Sequence, residues 1–207
     1  MAERAEWYDL APANVRKSLE SYGASVLDSL CLGKYAADVH AIVNDVTRQY
    51  DMHYYNTKTY VSTGVKKEDE AIAELRNIVN GYKTQVYERV RASARSWIEG
   101  HPDAVETMLR QAVLSVPGMD KVIMSDPGAS DRIVSAAASK AVAQGSLCEA
   151  KNWAIEQAKS AVASYLRAHP GSAIAMAIES GVPVETFAKV PPGVTPQQAA
   201  NLIAQAV

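Results

Sequence analysis

The sequence predicts an all-α protein, and three observations lead to this prediction. Alanine, the strongest helix former, supplies 34 of the 207 residues. Apolar residues recur at steps of three and four along most of the chain, as one face of a helix requires. No alternating apolar and polar run exceeds four residues, so the pattern of a half-buried strand is missing.

The first two predicted helices lie before residue 51. Pro12 suits a first helical turn, and the apolar face that follows it predicts a helix over 12–30, with Gly33 as its stop. This face consists of Val15, Leu19, Tyr22, Val26 and Leu30. A second helix is predicted from Tyr35 to Tyr50, on a stripe of Val39, Ile42, Val43, Val46 and Tyr50.

The helical pattern breaks over residues 51–65. This segment is rich in Tyr, Thr and Asn, which are weak helix formers. A short hairpin could form here, but we expect a long loop between helices, closed by Gly64.

A long helix is predicted from Lys67 to Ile98, because Gly100 and Pro102 end its pattern. Shorter helices follow over 102–115, 130–145, 147–168, 171–180 and 196–206. Turn dipeptides such as Pro117-Gly118 separate them. Thr195-Pro196-Gln197-Gln198 has the order of a capping box.

Two segments, 96–105 and 164–173, resemble each other. Each ends a helix with an aromatic and an aliphatic residue, turns on a small residue followed by His-Pro, and starts a new helix. His101 and His169 could form a metal pair or an acid–base pair. We favour a geometric role at a helix corner, because no carboxylate or Cys recurs at metal-ligand spacing.

Composition and motifs argue against several classes of protein. We find no phosphate-binding glycine loop and no nucleophile or zinc motif, so we expect no enzyme, catalytic residue, metal or cofactor. No apolar run is long enough for a membrane span, and the charged first residues do not resemble a signal peptide. Cys31 and Cys148 lie 117 positions apart, and we expect two reduced, buried thiols.

The charge of the long helix is unevenly distributed, although the whole chain carries only −2. Between residues 76 and 95 there are five basic residues and one acidic residue, Glu88. A helical wheel places Arg76, Lys83, Arg91 and Arg95 in one sector, beside an apolar sector. A solvated mixed surface would explain this sector. Alternatively it would follow a phosphate backbone over roughly 28 Å.

Under the second interpretation the candidate DNA-binding residues extend to neighbouring elements. They are Arg48, Lys58, Lys66, Lys67, Arg76, Lys83, Arg89, Arg91 and Arg95. The tyrosines between residues 50 and 60 could stack on bases, but we expect them to pack inside the protein. The apolar face Ala199, Leu202, Ile203 and Ala206 could contact another subunit or complete the protein's own bundle.

The segment from Tyr165 to Pro183, YLRAHPGSAIAMAIESGVP, is similar to the end of coat proteins from filamentous and rod-shaped archaeal viruses that package A-form DNA. In that family an aromatic-ended helix turns on a small residue plus Asn-Pro, and a short apolar helix ends in Gly near a Pro. Here His169 stands where the family often has Asn.

The resemblance implies an N-terminal helix-turn-helix arm that wraps double-stranded DNA, followed by a compact C-terminal helical bundle. On this sequence the arm would be residues 1–99 and the bundle 100–207. The resemblance also implies a structural subunit of the virion that polymerises into a helical filament, either with itself alone or together with a paralogous coat protein. Residues 1–75 depart from a basic arm, since they carry eight basic and twelve acidic residues. A cellular helical scaffold or protein-binding module without nucleic acid is the alternative.

Overall fold

A computed structural model describes residues 5–169 and 171–172, and every regular element in that part of the chain is helical. The chain divides into two compact units. The first unit extends to His101 and also includes Gln144–Cys148, and the second comprises Pro102–Ala143 and the chain from Glu149 onward. The helix predicted over 171–180, apart from its first two residues, and the helix predicted over 196–206 with its capping box lie outside the described residues.

The first unit is built around its longest helix, α5, which packs on α2, α3 and α4. Its elements are α1 (Ala5–Asp9), α2 (Pro12–Ser29), a 3-10 turn (Lys34–Ala36), α3 (Val39–Val46), α4 (Tyr50–Ser62) and α5 (Glu68–Gly100). The predicted helices over 12–30 and 67–98 are therefore confirmed to within two residues at each end. Helix α1 was not predicted, because five residues are too few to show a helical period.

Gly23 lies inside α2, at a point where α2 approaches other helices closely. A Cβ atom built on Gly23 would lie 2.5 Å from Cγ1 of Val39 and 3.3 Å from Cγ1 of Val86. Only a residue without a side chain fits there unless these two valines shift, so the close approach accounts for a glycine in mid-helix.

We expect Gly23→Ala to destabilise the protein, although alanine is the better helix former. Overpacking costs about 1–3 kcal/mol, which outweighs a propensity gain of about 1 kcal/mol. Gly81→Ala is the matched control. It lies inside α5 with no atom within 4 Å of a built Cβ, and should stabilise by about 0.5–1 kcal/mol. Urea denaturation of both variants measures the difference. A stabilised Gly23→Ala protein would contradict the close packing.

Two predictions for residues 35–65 are wrong. The single helix predicted over 35–50 is a 3-10 turn and the short α3, whose first turn is capped by Asp38 accepting from the Ala41 N–H at 3.0 Å. The loop predicted over 51–65 is the helix α4. Gly64 does end it, in a left-handed conformation with φ +71°, and the Val65 N–H donates to the Tyr60 carbonyl at 2.8 Å.

Tertiary packing explains why weak helix formers make a helix at α4. Tyr50 and Tyr54 are buried one turn apart. Their hydroxyls donate to the carbonyls of Leu10 at 2.8 Å and Trp7 at 3.1 Å. The weak helix propensity of these residues costs about 0.3–0.7 kcal/mol per residue. Burial of two aromatic rings whose hydroxyls are hydrogen-bonded outweighs this cost.

The prediction of two reduced, buried thiols is wrong, because Cys31 and Cys148 form a disulfide. Cys31, not Gly33, is the left-handed residue that ends α2, with φ +57°, and it is exposed. The N–H groups of Leu147 and Cys148 both donate to the Leu30 carbonyl, at 3.1 and 3.3 Å. This contact brings the two Cα atoms to 5.0 Å, a separation that a disulfide requires. Sequence spacing alone carries no information about it.

The second unit is also helical, with α6 (Pro102–Leu114), α7 (Met119–Ser125), α8 (Ala129–Gln144) and most of α9 (Leu147–Ala168). The helices predicted over 102–115, 130–145 and 147–168 are confirmed, and α7 was not predicted. Ala150, Ala154 and Ala158 are fully buried at steps of four along α9. Small side chains at this spacing allow another element to approach closely.

The two similar segments end their first helix in the same way, at His101 and at His169. The ring of His101 stacks on Trp97 with 4.6 Å between centroids, and its Nδ1 donates to the Trp97 carbonyl at 2.8 Å. The ring of His169 stacks on Tyr165 at 4.2 Å and donates to the Tyr165 carbonyl at 3.0 Å. Each histidine thus satisfies one of the last carbonyls of its helix, as the corner interpretation predicts.

No helix in the described part of the chain has both the length and the apolar composition that a membrane span requires.

Candidate nucleic-acid interface

The candidate interface is built on α5, whose charges are separated along its length. Its first two turns carry four carboxylates, at Glu68, Asp69, Glu70 and Glu74, and the five basic residues follow. This order complements the helix dipole, which favours anions at the N-terminus. The basic segment from Arg76 to Arg95 spans roughly 28 Å at 1.5 Å per residue.

The buried stripe of α5 rotates into the predicted basic sector. Val86, Val90, Ala94 and Ile98 are buried at steps of four. Each such step advances the stripe by about 40° on a helix with 3.6 residues per turn. On a straight wheel Ala94 and Ile98 fall between Lys83 and Arg91, so the basic residues do not share one uninterrupted exposed face.

Asp45 on α3 holds two of the nine candidate residues. It accepts from Arg89 at 2.6 Å and also pairs with Arg48. The Arg89 hydrogen bond and charge, followed by the charge of Arg48, hold the pKa of the Asp45 carboxyl below its usual value. Arg48 and Arg89 therefore act in the fold as partners of α3.

The lowered pKa of Asp45 predicts a pH-dependent contribution to stability. A carboxyl whose pKa is depressed by folding stabilises the protein above its unfolded pKa of about 3.9, and this contribution is lost as the pH falls through the folded pKa. We expect Asp45→Asn to be less stable than the wild type at pH 7 and the difference to shrink on acidification. Denaturation midpoints between pH 7 and pH 3 test this, with the exposed Glu106→Gln as the control for removal of one carboxylate. A difference that is constant across the range would contradict it.

Three further candidates contact residues from other elements. Lys66 pairs with Glu74, and Arg76 lies 4.0 Å from a carboxylate oxygen of Glu6 on α1. The ammonium of Lys58 lies 5.6 Å from the ring centroids of both Trp7 and Tyr54. These contacts stabilise the fold modestly at exposed sites, and they leave Arg76 accessible, since its side chain is 58% exposed.

Of the other four candidates, Lys67, Lys83 and Arg95 are exposed and Arg91 is partly exposed. Lys67 precedes α5 and is exposed. Lys83 is exposed with its ammonium 4.6 Å from the ring centroid of Tyr22. Arg91 and Arg95 lie two and three turns further along α5, beside a groove.

The groove beside Arg91 and Arg95 has a volume of about 570 Å³. Besides these two residues it is lined by Tyr87, Glu88, Ala92, Ser96, Gln144 and Gly145. Arg91 donates to the Tyr87 hydroxyl at 2.7 Å. The side chain of Arg95 lies against Gly145, where its Nε would be 3.3 Å from an added Cβ. Sequence reasoning found the arginines but missed the wall at residues 144–145.

A second groove, of about 620 Å³, has the opposite charge. Its lining includes Glu20, Asp28 and Asp38 against Lys34 and His40. His40 Nδ1 donates to Glu20 at 2.7 Å, and Asn44 donates to His40 Nε2 at 2.9 Å. Three carboxylates repel phosphate, so we expect a polyanion to contact the groove beside Arg91 and Arg95 and not this second groove.

The tyrosines between residues 50 and 60 divide into two pairs. Tyr50 and Tyr54 pack inside the unit, and burial raises the pKa of Tyr50 well above its usual value. Tyr55 and Tyr60 are 61% and 46% exposed, so only this pair is accessible to a partner. In the described part of the chain, no group of three or more His, Cys, Asp or Glu side chains is placed to hold a metal ion.

Comparison with known proteins gives no relative for this chain: no family, no curated protein and no solved structure matches it.

Proposed function

We propose that this protein is a structural coat subunit of a virion that binds double-stranded DNA through its phosphates, without sequence preference, and polymerises into a helical filament. The observation that carries the proposal is the run of accessible cations on one long helix, from Arg76 through Lys83 to Arg91 and Arg95. Contacts of this kind position a protein on DNA without reading its sequence.

The proposal also assigns roles to the two parts of the chain. Residues 1–99 would form the helix-turn-helix arm that contacts DNA, and residues 100–207 the bundle that contacts neighbouring subunits. Many subunits side by side multiply a modest affinity of each one, so a chain with net charge −2 can suffice. The contacts between copies would be heterologous, since contacts that do not close generate filaments. A paralogous coat chain could be the second partner.

The Cys31–Cys148 disulfide supports a role outside the reducing cytosol. Disulfides persist in oxidising surroundings, such as the surfaces of virions and cells, and in the cytosol of hyperthermophiles. A subunit of a particle that is released from its host would meet the first of these conditions.

Binding to a random-sequence DNA duplex tests the proposal. We expect affinity to fall steeply with salt, because each phosphate contact contributes about −0.9 to the slope of log K against log salt. A variant in which Arg76, Lys83 and Arg91 are all replaced by Glu should not bind the duplex. A control for charge reversal elsewhere is Lys151→Glu with Lys159→Glu, which reverses two exposed charges on α9. Electron microscopy of the DNA complex should show filaments. A protein that fails to bind at low salt and remains monomeric would overturn the proposal.

A cellular scaffold module without nucleic acid is the second candidate function. The ion pairs of Arg48 and Arg89 with Asp45, and of Lys66 with Glu74, favour it, because they give part of the basic surface a role inside the fold. The same DNA titration separates the two candidates.

A further inference from the structure

The arginine groove has one wall that is not part of α5. This wall consists of Gln144 and Gly145, and the chain continues from it directly to Cys148. Residues 147 and 148, which follow the wall, attach it to the end of α2 in two ways. They are the Cys31–Cys148 disulfide and the paired hydrogen bonds from Leu147 and Cys148 to the Leu30 carbonyl.

The groove has the chemistry of an anion site. The lining of the groove includes two guanidinium groups, from Arg91 and Arg95, and one carboxylate, from Glu88. The Tyr87 hydroxyl accepts a hydrogen bond from Arg91 and orients it. Guanidinium groups bind phosphate oxygens through paired, charge-assisted hydrogen bonds. Gln144 Oε1 is buried without a hydrogen-bond partner among the described residues. Because an amide oxygen accepts hydrogen bonds, it does not bind phosphate oxygens, and the anion chemistry of the groove comes from the two arginines.

The disulfide that holds the wall is accessible to a reductant. Cys31 is exposed and Cys148 is partly exposed. A dithiol such as dithiothreitol would supply two electrons and two protons. The S–S bond would break, Cys31 and Cys148 would become thiols, and the dithiol would leave as its cyclic disulfide. The wall would then lose its covalent link to the end of α2 and keep the two hydrogen bonds to the Leu30 carbonyl.

We propose that this groove binds a phosphate group and that the Cys31–Cys148 disulfide controls its affinity by holding the Gln144–Gly145 wall against Arg95. The ligand class rests on the proposed function, because the groove would take one phosphate of the polyanion that α5 binds. The redox control is independent of that function, since it concerns any phosphate that enters the groove.

Calorimetric titration of the full chain with inorganic pyrophosphate at low salt tests the proposal. The oxidised protein should bind, and protein treated with dithiothreitol should bind about tenfold more weakly, the loss that corresponds to one charge-assisted hydrogen bond. Arg91→Gln with Arg95→Gln should abolish binding, and Glu88→Gln should strengthen it about two- to fivefold. Lys151→Gln, a matched removal of one exposed charge, should bind like the wild type.

A second measurement uses the unaltered protein. If pyrophosphate binds the oxidised form tenfold more tightly, linkage requires that it make the disulfide tenfold harder to reduce. Saturating pyrophosphate should therefore lower the reduction potential by about 30 mV, the tenfold equivalent for two electrons. This shift should vanish in the Arg91→Gln, Arg95→Gln variant.

Several results would overturn the proposal. They are equal affinity of the oxidised and reduced forms, no binding of pyrophosphate by the oxidised form, or an unchanged reduction potential. Loss of helical circular dichroism on reduction would also overturn it, because control would then come from unfolding and not from one wall. If DNA binding persists in any of these cases, the proposed function stands and only the redox-controlled groove is lost. If DNA binding fails as well, both are lost.

Discussion

Removing the Cys31–Cys148 disulfide should lower the free energy of unfolding by about 2–5 kcal/mol. The disulfide closes a segment of 117 residues, and in the chain-entropy model such a long loop corresponds to about 5 kcal/mol of stabilisation at 25 °C. Guanidinium denaturation of the oxidised protein, and of Cys31→Ser with Cys148→Ser, measures the difference.

The conformation of Cys31 provides a control for this prediction. Because its φ is +57°, a non-glycine residue at this position is strained by about 1–2 kcal/mol. The variant Cys31→Gly with Cys148→Ser should therefore be more stable than the double serine variant, although both lack the disulfide. A double serine variant with the denaturation midpoint of the oxidised protein would contradict the stabilising role of the bond.

The second large effect is expected at Tyr50, which anchors α4. Its side chain is fully buried, contacts the ring of Tyr82 with 5.8 Å between centroids and donates to the Leu10 carbonyl. We expect Tyr50→Ala to destabilise by about 3–5 kcal/mol through the cavity that it leaves. Tyr50→Phe keeps the ring but leaves the Leu10 carbonyl without its donor, at a cost of about 1–3 kcal/mol.

Thermal denaturation followed by circular dichroism measures both Tyr50 variants. Tyr55→Ala is the matched control, because Tyr55 lies on the same helix and is 61% exposed. Truncation there should cost much less than at Tyr50. Equal losses at the two positions would mean that burial against Leu10 and Tyr82 does not hold α4.

Helices with a clear apolar period were predicted from the sequence, whereas α4 was not. In α2, Val15, Leu19 and Val26 are buried at the predicted spacing, whereas in α5 the buried stripe turns into the predicted basic sector at Ala94 and Ile98. In α4 the buried residues are two tyrosines and a threonine, which look polar and are weak helix formers. The spacing of Tyr50, Tyr54 and Thr57 is nevertheless that of one helical face, and it is the signal that could have identified the helix.

The candidate site shows a different limit. The wheel places the basic residues of α5 in one sector, but buried Ala94 and Ile98 interrupt that sector, and the partners of Arg76 and Arg89 lie on other elements. Glu6 is 70 positions from Arg76 and Asp45 is 44 positions from Arg89, so no local pattern indicates either pair. The groove wall at Gly145 and the disulfide that holds it likewise depend on tertiary contacts between distant segments.

The disulfide also determines how the chain would carry tension. When the segments on either side of Cys31 and Cys148 are pulled apart, the force passes through the sulfur bridge and bypasses everything between them. The bypassed loop of 117 residues could otherwise extend by roughly 400 Å, at about 3.5 Å per residue. The oxidised chain therefore has a much shorter maximum length than the reduced one.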